Sequence, residues 1–167
     1  MTTARRLVRV LLLAVLAVLC AGTVVASPTR PRFIQVPVTS TTASGSAVID
    51  GLRGGSLTVG RFTVRVPKGA WLGKATVSIE VPDPAVLTCK LGLRGQVVNF
   101  LVPVLLVSDV GGAIDTDPEQ LQVVCLNEDK GVWELVPDSL LYLDVLKLLT
   151  PLPHFSSYGV VEGKAGW

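Results

Sequence analysis

The sequence predicts an all-β fold: an antiparallel β-sandwich of about nine short strands, preceded by a cleavable signal helix and a flexible linker. Three observations predict the sandwich. Apolar residues alternate with polar ones over Phe62, Val64 and Val66, and again over Ala75, Val77, Ile79 and Val81, which is the period of a half-buried strand. Gly and Pro stop each alternating run, because Pro cannot donate to a ladder and Gly permits a tight turn. No convincing long amphipathic helix separates the runs, so the elements must bury their faces sheet against sheet.

The chain has 167 residues, which suits one domain with a sizeable core. Its first 26 residues have the layout of a secretory signal peptide. Arg5, Arg6 and Arg9 form a positive start, Val10 to Leu19 is an unbroken apolar run, and Val24-Val25-Ala26 supplies small or β-branched residues before a cut at Ser27. The rival reading is an uncleaved anchor, for which the 17 residues from Val10 to Ala26 are short. Cys20 invites lipidation, but the bulky Leu19 before it argues against a lipoprotein. The expected location is therefore outside a bacterial cell or at its surface, and contact with a membrane is confined to the leader before cleavage.

Removing the leader changes the charge. The 15 basic residues become 12 against 13 acidic ones, and a net charge of +2 becomes −1. The remaining charges are scattered and form no basic stripe, which excludes a nucleic-acid partner. Cys89 and Cys125 are left as an even pair in an oxidising compartment. A disulfide between them would close a loop of about 36 residues and contribute about 4 kcal/mol. Two buried free thiols acting as small hydrophobes are the alternative.

Residues 27–46 read as a flexible linker rich in Pro, Ser and Thr, with too little apolar surface to offset its ordering entropy. Within it, Phe33 to Val36 can add a strand edge. The domain runs from Ala47 to Val161. Strands are expected at Ser56–Val59, Arg61–Val66, Ala75–Val81 and Val86–Leu91, the last carrying Cys89. Gln96–Val107 is apolar on both faces, with Pro103 marking an edge or a bulge. Such a run is either doubly buried core or, with one face exposed, a partner surface. A polar loop over 109–119 leads to Leu121–Leu126, which carries Cys125, and an acidic turn at 127–131 makes Val132–Val136 its hairpin partner. Leu140–Leu149 fits a helix capped by Asp138 or Ser139, or two short strands meeting near Asp144. Pro151 and Pro153 end it, Phe155–Val161 is the last strand, and residues 162–167 are a tail.

The order of motifs resembles the ZU-five domain of zonula occludens proteins, netrin receptors and ankyrins, and related modules of bacterial secreted proteins. The matching pieces are Gly55-Ser56-Leu57, Phe62 through Ala70, Thr76-Val77-Ser78-Ile79, Phe100 with Pro103-Val104-Leu105, Trp133-Glu134, and His154-Phe155-Ser156-Ser157-Tyr158. The resemblance spans Ala47 to Val161. It implies a β-sandwich, the strand reading of Leu140–Leu149, and a structural or protein-interaction module with no turnover of its own. The partner is an unidentified protein or cell-envelope component.

Some members of that family cut themselves at a His-Phe-Ser motif, which here places the cut between Phe155 and Ser156. Ser156 Oγ would attack the Phe155 carbonyl, and His154 would move the proton from the hydroxyl to the departing amide nitrogen. The competing reading is a plain strand in which His154, Ser156 and Tyr158 share one face and Phe155 fills the core. Two further sites are weighed. Asp115, Asp117 and Glu119 in a Gly-flanked loop offer carboxylates to calcium, without the spacing of an EF-hand. Trp71, Trp133 and Trp167 offer stacking surfaces to a glycan. No cofactor is expected: no phosphate loop, paired-cysteine metal motif or Gly-x-Ser-x-Gly elbow occurs.

Overall fold

The computed structural model describes residues 31–38, 43–95, 99–113 and 115–163. The expected leader with Cys20, residues 27–30 and 39–42 of the expected linker, and residues 164–167 of the tail, Trp167 included, lie outside the described residues. Among the described residues eleven strands form two antiparallel sheets, and the fold is a β-sandwich. The strands are β1 (Ser44–Asp50), β2 (Gly55–Val59), β3 (Phe62–Val66), β4 (Lys74–Glu80), β5 (Thr88–Arg94) and β6 (Val104–Asp109). They continue with β7 (Leu121–Asn127), β8 (Val132–Leu135), β9 (Leu140–Tyr142), β10 (Lys147–Leu152) and β11 (Ser157–Glu162). One sheet has the order β1-β4-β5-β11-β7-β8, and the other β2-β3-β6-β10-β9.

The two alternating runs behave as their period requires. Phe62, Val64 and Val66 of β3 are buried, as are Ala75, Val77 and Ile79 of β4, while Arg65 and Glu80 face water. Between the sheets these side chains meet Val104 and Leu106 of β6, Leu148 and Leu152 of β10, Cys89 and Leu91 of β5, and Tyr158 and Val160 of β11. One contiguous core results.

Four boundaries differ from the sequence expectation. The sandwich does not begin at Ala47: Ser44, Gly45 and Ser46 already pair with Glu80, Ile79 and Ser78. The polar β1 is held at a sheet edge by its partner, which composition does not record. Nor is Phe33–Val36 part of a free tether. Ile34 N–H donates to Val160 O, Leu87 N–H donates to Ile34 O, and Ile34 and Val36 are buried. The Phe33 ring covers Gly159, where any added Cβ would overlap it. Arg61 holds the following Pro37 by its carbonyl (3.1 Å) while donating to Gly111 O (2.8 Å) and pairing with Asp109.

Third, the apolar stretch around Pro103 is not one long strand. Pro103 precedes β6, Leu101 and Val102 are exposed, and Gln96 to Val98 lie outside the described residues. Leu140–Leu149 takes the expected two-strand form with a turn over 143–146; the fourth difference is that Pro151 sits inside β10 opposite Leu105 instead of ending it. The short β9 covers only Lys147 to Leu149. Past Leu149, the side of β10 away from β6 has no partner in β9, and there a residue without an N–H costs no ladder bond.

Candidate functional site

The His154 segment lies at one end of the sandwich, between the end of β10 and the start of β11. Pro153 to Ser156 is a bend, not the first half of a strand. Strict period two therefore fails here: His154 is exposed, while Ser156 is 3 % exposed. Phe155 is half-buried and packs edge-on against Phe100 at 5.5 Å, which anchors the bend to the core.

Three hydrogen bonds fix the bend. Tyr158 Oη donates to His154 O at 2.5 Å. Ser156 Oγ donates to Leu126 O at 2.8 Å and lies 3.4 Å from Glu128 Oε1. Leu91 N–H donates to Ser156 O at 2.9 Å. The Ser156 hydroxyl proton is thus committed to a backbone carbonyl of β7. Among the described residues, no hydrogen bond joins Ser156 to His154. The imidazole turns elsewhere: His154 Nε2 lies 3.8 Å from Cys125 Sγ.

These groups line a cleft of about 390 Å³ between the β7–β8 turn and the bend, walled by Cys125, Glu128, Glu134, His154, Phe155 and Ser156. A thiol beside an imidazole is the arrangement of a cysteine nucleophile, which acts as its thiolate. Here the environment opposes ionisation. Burial pushes the Cys125 thiol up by more than the neighbouring Tyr158 and Ser156 hydroxyls pull it down, and the carboxylates of Glu134 and Glu128 add to the rise. On the rim, hydrogen bonds from Lys130 and Asn127 hold the Glu134 carboxyl below its ordinary value. The cleft is acidic at its mouth and carries a protonated thiol at its wall.

Cys89 and Cys125 are both free. The expected disulfide is corrected by the strand order. The two cysteines sit on β5 and β7, on either side of β11, and each lies opposite Tyr158. Two strand spacings are about 9.5 Å, beyond the ~7 Å that a bridge can span. Instead Cys89, Tyr158 and Cys125 form a buried row across three central strands. Burial raises the pKa of Cys89 and of Tyr158 strongly.

The other expected sites are not assembled. Asp117 caps a short 3₁₀ turn at Pro118–Gln120, accepting from Glu119 N–H (3.1 Å) and Gln120 Nε2 (2.8 Å). Asp115, Asp117 and Glu119 do not converge, and among the described residues no three His, Cys, Asp or Glu side chains are placed to hold a metal ion. Trp71 is 2 % exposed and packs on Phe100, so it offers no face to a sugar. Trp133 spends its ring on Phe33, centroids 4.9 Å apart.

Sequence reasoning missed the Cys125–His154 approach. The sequence sets Cys125 with Cys89 and His154 with Ser156, whereas the contact follows from β11 pairing with β7, which no local pattern encodes. No family model matches the chain, and no curated protein matches it.

Proposed function

We propose that the protein is an exported, non-catalytic interaction module of the ZU-five-like kind, which binds a protein partner along the open edge of β9. The reading is carried by what that edge displays. Natural edge strands are blunted by charge, brevity or cover, because their unpaired N–H and C=O groups recruit other chains. β9 is short, but its outer surface is apolar: Leu140 is 60 % exposed and Tyr142 46 %, and Leu143 and Val145 of the following turn are exposed beside them. The neighbouring edge, β8, is mixed: Leu135 is exposed beside Glu134, which pairs with Lys130 of the preceding turn (3.0 Å). On the opposite side β1 and β2 close on one another, Gly45 against Val59 and Gly55 against Ile49. Strand addition to β9 would satisfy its backbone and cover its apolar side chains at once.

Self-processing is the weaker reading, because the Ser156 proton points at Leu126 O and away from His154. A photo-crosslinking residue at Tyr142, with one at Thr58 on the β2 edge as control, tests the leading reading in producing cells. A crosslinked protein is expected from position 142 and is lost when Leu140→Lys is added. Equal crosslinking from both positions, or none from position 142, would overturn it.

A further inference from the structure

A second exposed apolar set lies at the end of the sandwich, on a different surface from the β9 edge. Three connections meet there: β1–β2 (51–54), β3–β4 (67–73) and the approach to β6 (99–103). Gly51 is their hub. Its N–H donates to Gly73 O (2.9 Å), and its carbonyl accepts from Gly69 N–H (2.8 Å) and Ala70 N–H (3.1 Å). Its Cα lies so close to Trp71 that an added Cβ would overlap the indole. Leu101 N–H donates to Ala70 O (2.8 Å), and Val102 reaches within 4.0 Å of where a Gly69 Cβ would stand. The three loops therefore form one tied tip rather than three independent turns.

What the tip shows to water is the reverse of a normal loop. Leu72 is 73 % exposed, Leu101 67 % and Leu52 57 %, and Val102 is exposed with them. The charges around them are nearly all of one sign. Arg53, Lys68, Lys74 and Arg94 are exposed on these loops or the strand ends that feed them. The single carboxylate among them, Asp50, accepts from Leu52 N–H at 3.0 Å. The acidic turn with Glu128 and Asp129 follows β7, which is three strands away from β4 in the sheet, about 14 Å at ordinary strand spacing.

We propose that this tip docks on an anionic lipid bilayer. Leu52, Leu72, Leu101 and Val102 enter the interface, and Arg53, Lys68, Lys74 and Arg94 face the lipid phosphates. Apolar side chains at the ends of loops, ringed by cations, bind such a surface by burying apolar area and by attraction to anionic lipid together. The tied backbone matters, because a tip that is already ordered loses little entropy on docking. This docking needs no leader and no β9 partner.

The test needs a local readout, since the apolar N-terminal run of the full chain also meets lipid. The full chain with Cys20→Ser and Leu72→Cys is labelled at position 72 with a polarity-sensitive dye. A second sample carries the dye at Glu119→Cys, in the connection at the opposite end. With phosphatidylglycerol-rich vesicles the dye at position 72 shifts to the blue, the dye at position 119 does not, and phosphatidylcholine vesicles give no shift at either. Lys68→Gln with Lys74→Gln weakens the position-72 titration about thirty-fold, at about 1 kcal/mol for each cation near an anionic surface. Both lysines are exposed, so the melting temperature stays unchanged. No blue shift at position 72, an equal shift on phosphatidylcholine, or a titration indifferent to the lysine changes would overturn the proposal.

Discussion

Ser156→Ala separates a strut from a nucleophile. Ser156 is 3 % exposed and donates to Leu126 O at 2.8 Å. Removing its hydroxyl deletes one hydrogen bond and leaves a carbonyl of β7 without that donor. Such a deletion costs about 1–2 kcal/mol, which lowers the melting temperature by about 3–8 °C for a domain of this size. The paired change His154→Ala removes an exposed ring whose nearest polar contact is a thiol at 3.8 Å, and costs less than about 0.5 kcal/mol. Denaturant unfolding measures both, and mass spectrometry under denaturing conditions shows whether the chain is cut. The expected pattern is an intact chain in every variant, with Ser156→Ala destabilised and His154→Ala near neutral. A wild-type chain cut after Phe155, with the cut abolished by either substitution and stability unmoved, would refute the strut argument. It would restore the nucleophile and base pairing.

Two further outcomes concern the buried row of Cys89, Tyr158 and Cys125. An alkylating reagent at neutral pH leaves both thiols unlabelled while the protein is folded and labels both after unfolding without a reductant; labelling that requires reduction would mean a bridge and a different strand order. From neutral pH to pH 9 these groups leave stability unchanged, and above pH 9 it falls, because the unfolded chain releases protons near the ordinary values of 9.0 for cysteine and 10.0 for tyrosine that the folded core retains. Each such acid contributes a slope of about 1.4 kcal/mol per pH unit. Tyr158→Phe should remove one share of the slope above pH 10, and a profile that stays flat to pH 11 would count against burial of the row.

Much of the sandwich was legible because its central strands obey a local rule. Phe62 to Val66 and Ala75 to Val81 alternate, and one buried face per strand is enough to require a second sheet. The β9–β10 hairpin was less legible, since a run of leucines satisfies both a helix and a strand. β1 was not legible at all. Ser44-Gly45-Ser46 has the composition of a linker and becomes a strand only because β4 offers it a ladder.

The candidate site divides in the same way. The sequence by itself determined the all-β class, the places where chains turn, and the residue types available for chemistry: one His, Cys89 and Cys125, a few acidic loops. Which of those groups meet was decided only in three dimensions. β11 lies between β5 and β7, so the two cysteines face Tyr158 instead of each other, and His154 meets Cys125 instead of Ser156. The physical reason is that side-chain direction follows from local period, whereas neighbours across a sheet follow from strand order, a property of the whole chain.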